Sequence, residues 1–122
     1  MENIVIYDIL PCVILLKGLK MVKHIILWKL KDEFSDEEKA EIRKGIKSSL
    51  ESLKGVIPGL SDIRVQTEFL PTSNADVMLD STFESFEALK NYAVHPEHVK
   101  VADTKVCPFT ESRSCIDYKE GK

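Results

Sequence analysis

The sequence predicts an α+β fold, a four-stranded antiparallel sheet with helices on one face, and three observations carry that prediction. Apolar residues alternate at period two in four stretches and recur at helical spacing between them. Serine N-caps, Ser35 and Ser85, stand where the two main helices should begin. The resulting order, β-α-β-β-α-β, is the split β-α-β or ferredoxin-like arrangement.

Regular patterning starts at Met21. In the first strand Val22, His24, Ile26, Trp28 and Leu30 share one face, and Lys23, Ile25, Leu27 and Lys29 share the other. Apolar groups on both sides place this strand in the middle of the sheet. Ser35 and Glu38 form a capping box, and Ile42, Ile46, Leu50, Leu53 and Ile57 keep helical spacing as far as Ile57-Pro58-Gly59. Ile63, Val65, Thr67 and Phe69 then alternate with Asp62, Arg64, Gln66 and Glu68, a strand with one wet face. Pro71 to Asn74 turns the chain into a further strand from Ala75 to Thr82.

Ser85 caps a second helix bearing Phe86, Leu89 and Ala93, which should stop at the valine before His95-Pro96. Pro96 suits the first position of a new helical segment carrying Val99, Ala102 and Val106, closed by Cys107-Pro108. Glu111 to Tyr118 is the closing strand, with Ser114, Ile116 and Tyr118 on one face and Arg113, Cys115 and Asp117 on the other. Helices cover one face of such a sheet. Its other face, and large apolar groups including Trp28, call for a partner, and a symmetric homodimer packed sheet to sheet is expected.

A chain of 122 residues holds one core of ordinary size. Seventeen basic against twenty acidic side chains leave a net charge of −3, so neither nucleic acid nor an anionic membrane is an expected partner. Cys12, Cys107 and Cys115 are odd in number, widely spaced, and match no metal-ligand motif. Free buried thiols in a reducing, cytoplasmic setting are favoured over a Cys107–Cys115 disulfide. Asp36, Glu37, Glu38 and Glu41 suit the positive end of a helix dipole and need no catalytic role. The chain lacks a nucleophile elbow, a phosphate-binding glycine loop and a dinucleotide fingerprint, which removes the hydrolase, kinase and dehydrogenase classes. No cofactor and no metal is expected.

Residues 1–20 are apolar, but Glu2 replaces the basic start of a signal peptide and Asp8 and Pro11 interrupt the run. The stretch Ile9 to Leu16 is far shorter than the ~20 residues of a membrane span. Residues 1–20 are therefore read as an N-terminal extension, with Met21 a natural start, residues 21–118 as the domain, and 119–122 as a tail.

Two of the three histidines lie in N-Y-A-V-H-P-E-H-V-K, residues 91–100. A half-buried His98 beside the Tyr92 phenol has the chemistry to remove a proton from a carbon next to a carbonyl. The competing reading has His98 satisfying backbone groups at the helix joint and Tyr92 packed into the core. For His95, held extended before a proline, locking the joint is favoured. A metal site from His95 and His98 would need further ligands. His24 is read either as a satisfied core histidine or as a pocket base, and Trp28 as core or interface.

M-V-K-H-I-I-L-W-K-L-K-D from Met21, I-P-G at 57–59, T-F-E-S-F-E-A-L from Thr82, Y-A-V-H-P-E-H-V from Tyr92 and I-D-Y at 116–118 together resemble the stress-responsive A/B barrel (Dabb) family. The resemblance implies a dimeric α+β barrel with a pocket inside each protomer, between sheet and helices. Family members include stress-associated proteins and a plant cyclase that folds a linear polyketide acid by aldol condensation. By resemblance to that enzyme, His98 is the base and Tyr92 an active-site partner, and His24 matches a further pocket histidine. Val77 and Leu50 stand where the cyclase has another histidine and a tyrosine, which implies a more apolar pocket here. Two functions follow: binding of a small apolar or carbonyl-containing ligand in a stress-linked or accessory role, or cofactor-independent cyclase or lyase catalysis. Cofactor-free monooxygenation is a third, resting on likeness to other dimeric ferredoxin-like barrels.

Overall fold

Alternation along the first strand fixes where the core lies: Val22, His24, Ile26, Trp28 and Leu30 are all buried, while the residues between them are half-exposed or exposed. The computed structural model describes residues 21–120. Its elements are β1 (Val22–Leu30), α1 (Asp36–Glu51), β2 (Leu60–Gln66), β3 (Val77–Phe83), α2 (Phe86–Val94), α3 (Pro96–Val101) and β4 (Thr110–Lys119). A π-helical turn at Ala102–Val106 and a 3-10 turn at Cys107–Phe109 link α3 to β4. The sheet runs β2-β3-β1-β4, every neighbour antiparallel, with β1 central. This is the expected ferredoxin-like α+β architecture.

The capping box at α1 is complete, with Ser35 Oγ accepting from the Glu38 N–H at 3.1 Å and the Glu38 carboxylate accepting from the Ser35 N–H at 2.8 Å. The helix stops at Glu51 and does not reach Ile57. Ser52 ends it, its hydroxyl donating to the Ser49 carbonyl at 2.7 Å, and Gly55 lies in the left-handed region at φ 85°. Leu53 and Ile57 are still buried, so the apolar spacing outlasts the helix because the turns after it pack on the same core. Gly59 closes the connection at φ 84°, and a Cβ there would lie 2.5 Å from the Ala88 Cβ, so glycine is what lets α2 approach this turn.

β2 and β3 are both displaced from their sequence bounds. Pairing ends at Gln66 opposite Met78, leaving Phe69 and Leu70 in an exposed loop. β3 starts at Val77, and the preceding Asp76 ties it to the end of β1: its N–H donates to the Trp28 carbonyl at 2.8 Å and its carboxylate accepts from the Leu30 N–H at 2.8 Å. The segment from Pro96 to Val106, expected as one helix, is α3 followed by the π-helical turn. Trp28 belongs to the helix-covered face and is 6% exposed, which makes it core, the first of its two readings, and removes it from the interface patch. Leu27, Ile116 and Tyr118, on the uncovered face, are the exposed apolar groups of the central and β4 strands.

Cys107 and Cys115 are free thiols, though exposed and not buried as expected. No helix among the described residues is long and apolar enough to cross a membrane. The proposed extension at 1–20, with Cys12, lies outside the described residues.

Candidate functional site

Between the sheet and the helices lies a cavity of about 180 Å³. Ile26, Trp28 and Leu79 form its floor, and Leu50, Leu89 and Val106 form its walls. Into this apolar space β1, α2, α3 and β4 bring polar side chains, among them His24, Tyr92, His98 and Arg113. The three sequence-derived candidates thus line one cavity. Leu50 lines it too, whereas Val77 is fully buried and is not among the lining residues.

Tyr92 sits on the inner face of α2 and is 1% exposed. Its ring meets Phe83 edge-on at 4.9 Å between centroids and His24 at 6.1 Å. The His98 ring lies against it at 4.1 Å, tilted by 33°. No group among the described residues hydrogen-bonds the buried Tyr92 hydroxyl. Burial drives this phenol well above its ordinary titration range, so it is a proton donor and not a phenolate at neutral pH.

His98 is carried to the cavity by α3, whose Pro96 occupies the first turn. Its Nδ1 lies 3.3 Å from the Ala93 carbonyl oxygen. A carbonyl can only accept, so this contact puts the ring hydrogen on Nδ1 and leaves the Nε2 lone pair free. Burial lowers the imidazole below its usual range, with the Ala93 contact opposing, so the neutral form prevails at pH 7. His98 therefore combines the joint-satisfying contact with a free basic nitrogen.

His95 holds the joint. Its N–H donates to the Tyr92 carbonyl at 3.1 Å, ending α2, and its Nδ1 accepts from the Glu97 N–H at 3.1 Å, starting α3. That nitrogen is committed to the backbone, and neither His95 nor His98 belongs to a cluster of three or more candidate metal ligands among the described residues.

His24 is buried at the cavity, and its ring is satisfied from across the sheet. Its Nδ1 lies 2.5 Å from the Asp117 carboxylate. The β1–β4 register sets His24 opposite Asp117, Ile26 opposite Cys115 and Trp28 opposite Arg113. Asp117, Cys115 and Arg113 therefore stand on the cavity side of the sheet. Sequence reasoning did not single them out as site residues. Alternation placed them on one face; the pairing with His24 comes from the register alone.

A ferredoxin-like sheet that holds an apolar, histidine- and tyrosine-edged cavity under its helices defines an α+β barrel protomer. The chain belongs to the stress responsive A/B barrel domain (Dabb) family, whose model matches residues 22–120. It is 31% identical over 104 residues to olivetolic acid cyclase of Cannabis sativa, covering 83% of this chain and 98% of that protein. It is 33% identical over 101 residues to the stress-response A/B barrel domain-containing protein HS1 of Arabidopsis thaliana, covering 80% and 88%. Among solved structures it resembles a dimeric ferredoxin-like protein of unknown function from Bacteroides fragilis, with a TM-score of 0.76, 37% identity, and coverage of 82% and 96%.

Proposed function

We propose that this chain is a homodimeric A/B barrel protein that takes a small, largely apolar, carbonyl-bearing molecule into the cavity under α2 and α3, in a stress-linked or accessory role. The observation that carries this reading is the Tyr92 hydroxyl, buried in an apolar cavity with no partner among the described residues. A protonated phenol in that position is suited to a ligand carbonyl oxygen. Leu27, Ile116 and Tyr118, 40%, 60% and 46% exposed on the uncovered sheet face, support the homodimer. So does the dimeric description of the B. fragilis relative. The free thiols Cys107 and Cys115 are in keeping with a cytoplasmic setting. No cofactor is called on.

A second reading, a cofactor-independent cyclase or lyase, is favoured by the free Nε2 of neutral His98 and by the similarity to olivetolic acid cyclase. His98 would take a proton from the carbon beside a carbonyl, Tyr92 would hold the developing oxyanion by its O–H, and His24, fixed by Asp117, would position the substrate.

Native mass spectrometry of the purified protein tests the first reading, with a dimer carrying a discrete added mass as the expected result. His98→Ala separates the two: lost turnover in a dimer of unchanged melting temperature supports the enzyme, whereas an unfolded variant returns His98 to the joint. A monomer at micromolar concentration would sink the homodimer.

A further inference from the structure

We propose that His24, Cys115 and Asp117 form a binding site for one divalent transition metal ion of the Zn²⁺ class, at the junction of β1 and β4. Their donor atoms lie within 4.8 Å of one another and are of three kinds, imidazole nitrogen, thiol sulfur and carboxylate oxygen. The cluster is set by rigid strands: His24 and Asp117 are direct cross-strand partners, and Cys115 is one pair further on the same face. No short sequence motif spells it out, because its ligands come from two strands far apart in the chain.

The distances decide whether the trio can chelate. Tetrahedral zinc with sulfur, nitrogen and oxygen ligands has ligand-to-ligand edges of about 3.4–3.6 Å, from its ordinary bond lengths. Cys115 Sγ lies 3.5 Å from Asp117 Oδ1 and 3.9 Å from His24 Nδ1, so two edges are close to fitting. The third, His24 Nδ1 to Asp117 Oδ1, is 2.5 Å, the separation of a hydrogen bond with its proton between the two atoms. A metal ion replaces that proton and pushes the edge apart by about 1 Å. Asp117 is the partner able to yield, its side chain 38% exposed while that of His24 is held at 10%.

Charge and softness select the ion. The thiol loses its proton on binding, and the resulting thiolate with the Asp117 carboxylate offsets the double positive charge. Sulfur and imidazole donors favour Zn²⁺ and Co²⁺ over Mg²⁺ and Ca²⁺, which prefer oxygen-only shells. Three protein ligands leave a fourth position open to water, unlike the closed four-ligand shell of structural zinc. The site stands whether or not the cavity binds a carbonyl compound.

Cobalt titration of the full chain tests it. One equivalent of Co²⁺ should give the visible bands of a tetrahedral site and a near-ultraviolet thiolate charge-transfer band, both abolished by Zn²⁺. Cys115→Ser should remove the charge-transfer band. Asp117→Asn should weaken binding by at least the ~10-fold that loss of even an outer-shell partner costs. Zn²⁺ should raise the melting temperature of the unaltered protein and not that of Cys115→Ser. Folded protein that gives no thiolate band, or a band that survives Cys115→Ser through another cysteine, overturns the site.

Discussion

A buried hydroxyl that bonds to nothing costs a fold roughly 1–3 kcal/mol. Tyr92 has such a hydroxyl, at the wall of the cavity. Tyr92→Phe should therefore leave the unfolding free energy in urea unchanged or raise it, while weakening retention of any carbonyl ligand. A stability loss above ~1 kcal/mol would show that the hydroxyl serves the core instead. His98 makes a prediction of the opposite kind, through protons. Its folded-state imidazole titrates below the 6.5 of an unperturbed histidine, chiefly because burial disfavours the charge. As pH falls through 6.5 the unfolded chain takes up this proton first, so stability is full above that pH and declines below it until the folded group also titrates. Melting temperature followed against pH should fall less steeply below 6.5 in His98→Gln than in the unaltered protein. Parallel curves would show that other groups govern the slope. Tyr92, His98 and His24 could be picked from the sequence because two short blocks carry them. Asp117 could not be assigned to His24, because their contact joins positions 93 residues apart through strand register.

At the scale of elements, the capping box and the period-two runs made most of the fold readable, because caps and alternation are local chemistry. The ends of elements were less readable. Leu53 and Ile57 keep helical spacing beyond Glu51, since burial against the same core imposes the same apolar demand on a turn as on a helix. Thr67 to Phe69 alternates like a strand but has no partner on β3 beyond Met78. The edge of β2 depends on α1 in a way no alternation reveals. Val65 donates its N–H to Glu51 at 2.9 Å and its carbonyl accepts from Lys47 at 2.9 Å, so helix side chains cover backbone groups that would otherwise invite another strand. Glu51→Ala should cost about 1 kcal/mol in urea denaturation and raise light scattering on storage. An unchanged midpoint would mean that solvent satisfies Val65 equally well. Gly59 governs a second junction, where the turn before β2 meets α2. Gly59→Ala places a left-handed backbone penalty of ~1–2 kcal/mol on top of an overpacking cost of ~1–3 kcal/mol against Ala88. A combined loss of about 2–5 kcal/mol in equilibrium denaturation is expected.

For the whole molecule, the sheet separates two tasks by alternation. Residues 24, 26 and 28 of β1 face the cavity, while Ile25 and Leu27 face away, and β4 divides in the same way between Arg113, Cys115 and Asp117 on one side and Ser114, Ile116 and Tyr118 on the other. Burying the second set requires another surface, and a two-fold pairing of sheets supplies one in which each substitution counts twice. Ile116, 60% exposed and paired across to Ile25, is the position to test. Ile116→Lys places two buried charges in such an interface, so the protein should run as a monomer in native mass spectrometry and lose the protein-concentration dependence of its melting temperature. The cavity lies on the opposite face, so the Tyr92–His98 pair should remain in place and ligand retention should follow the monomer. If dimerisation and ligand retention disappear together, the partner protomer helps to shape the cavity. If the dimer persists, the uncovered face is not the interface, and the apolar groups on it serve another partner.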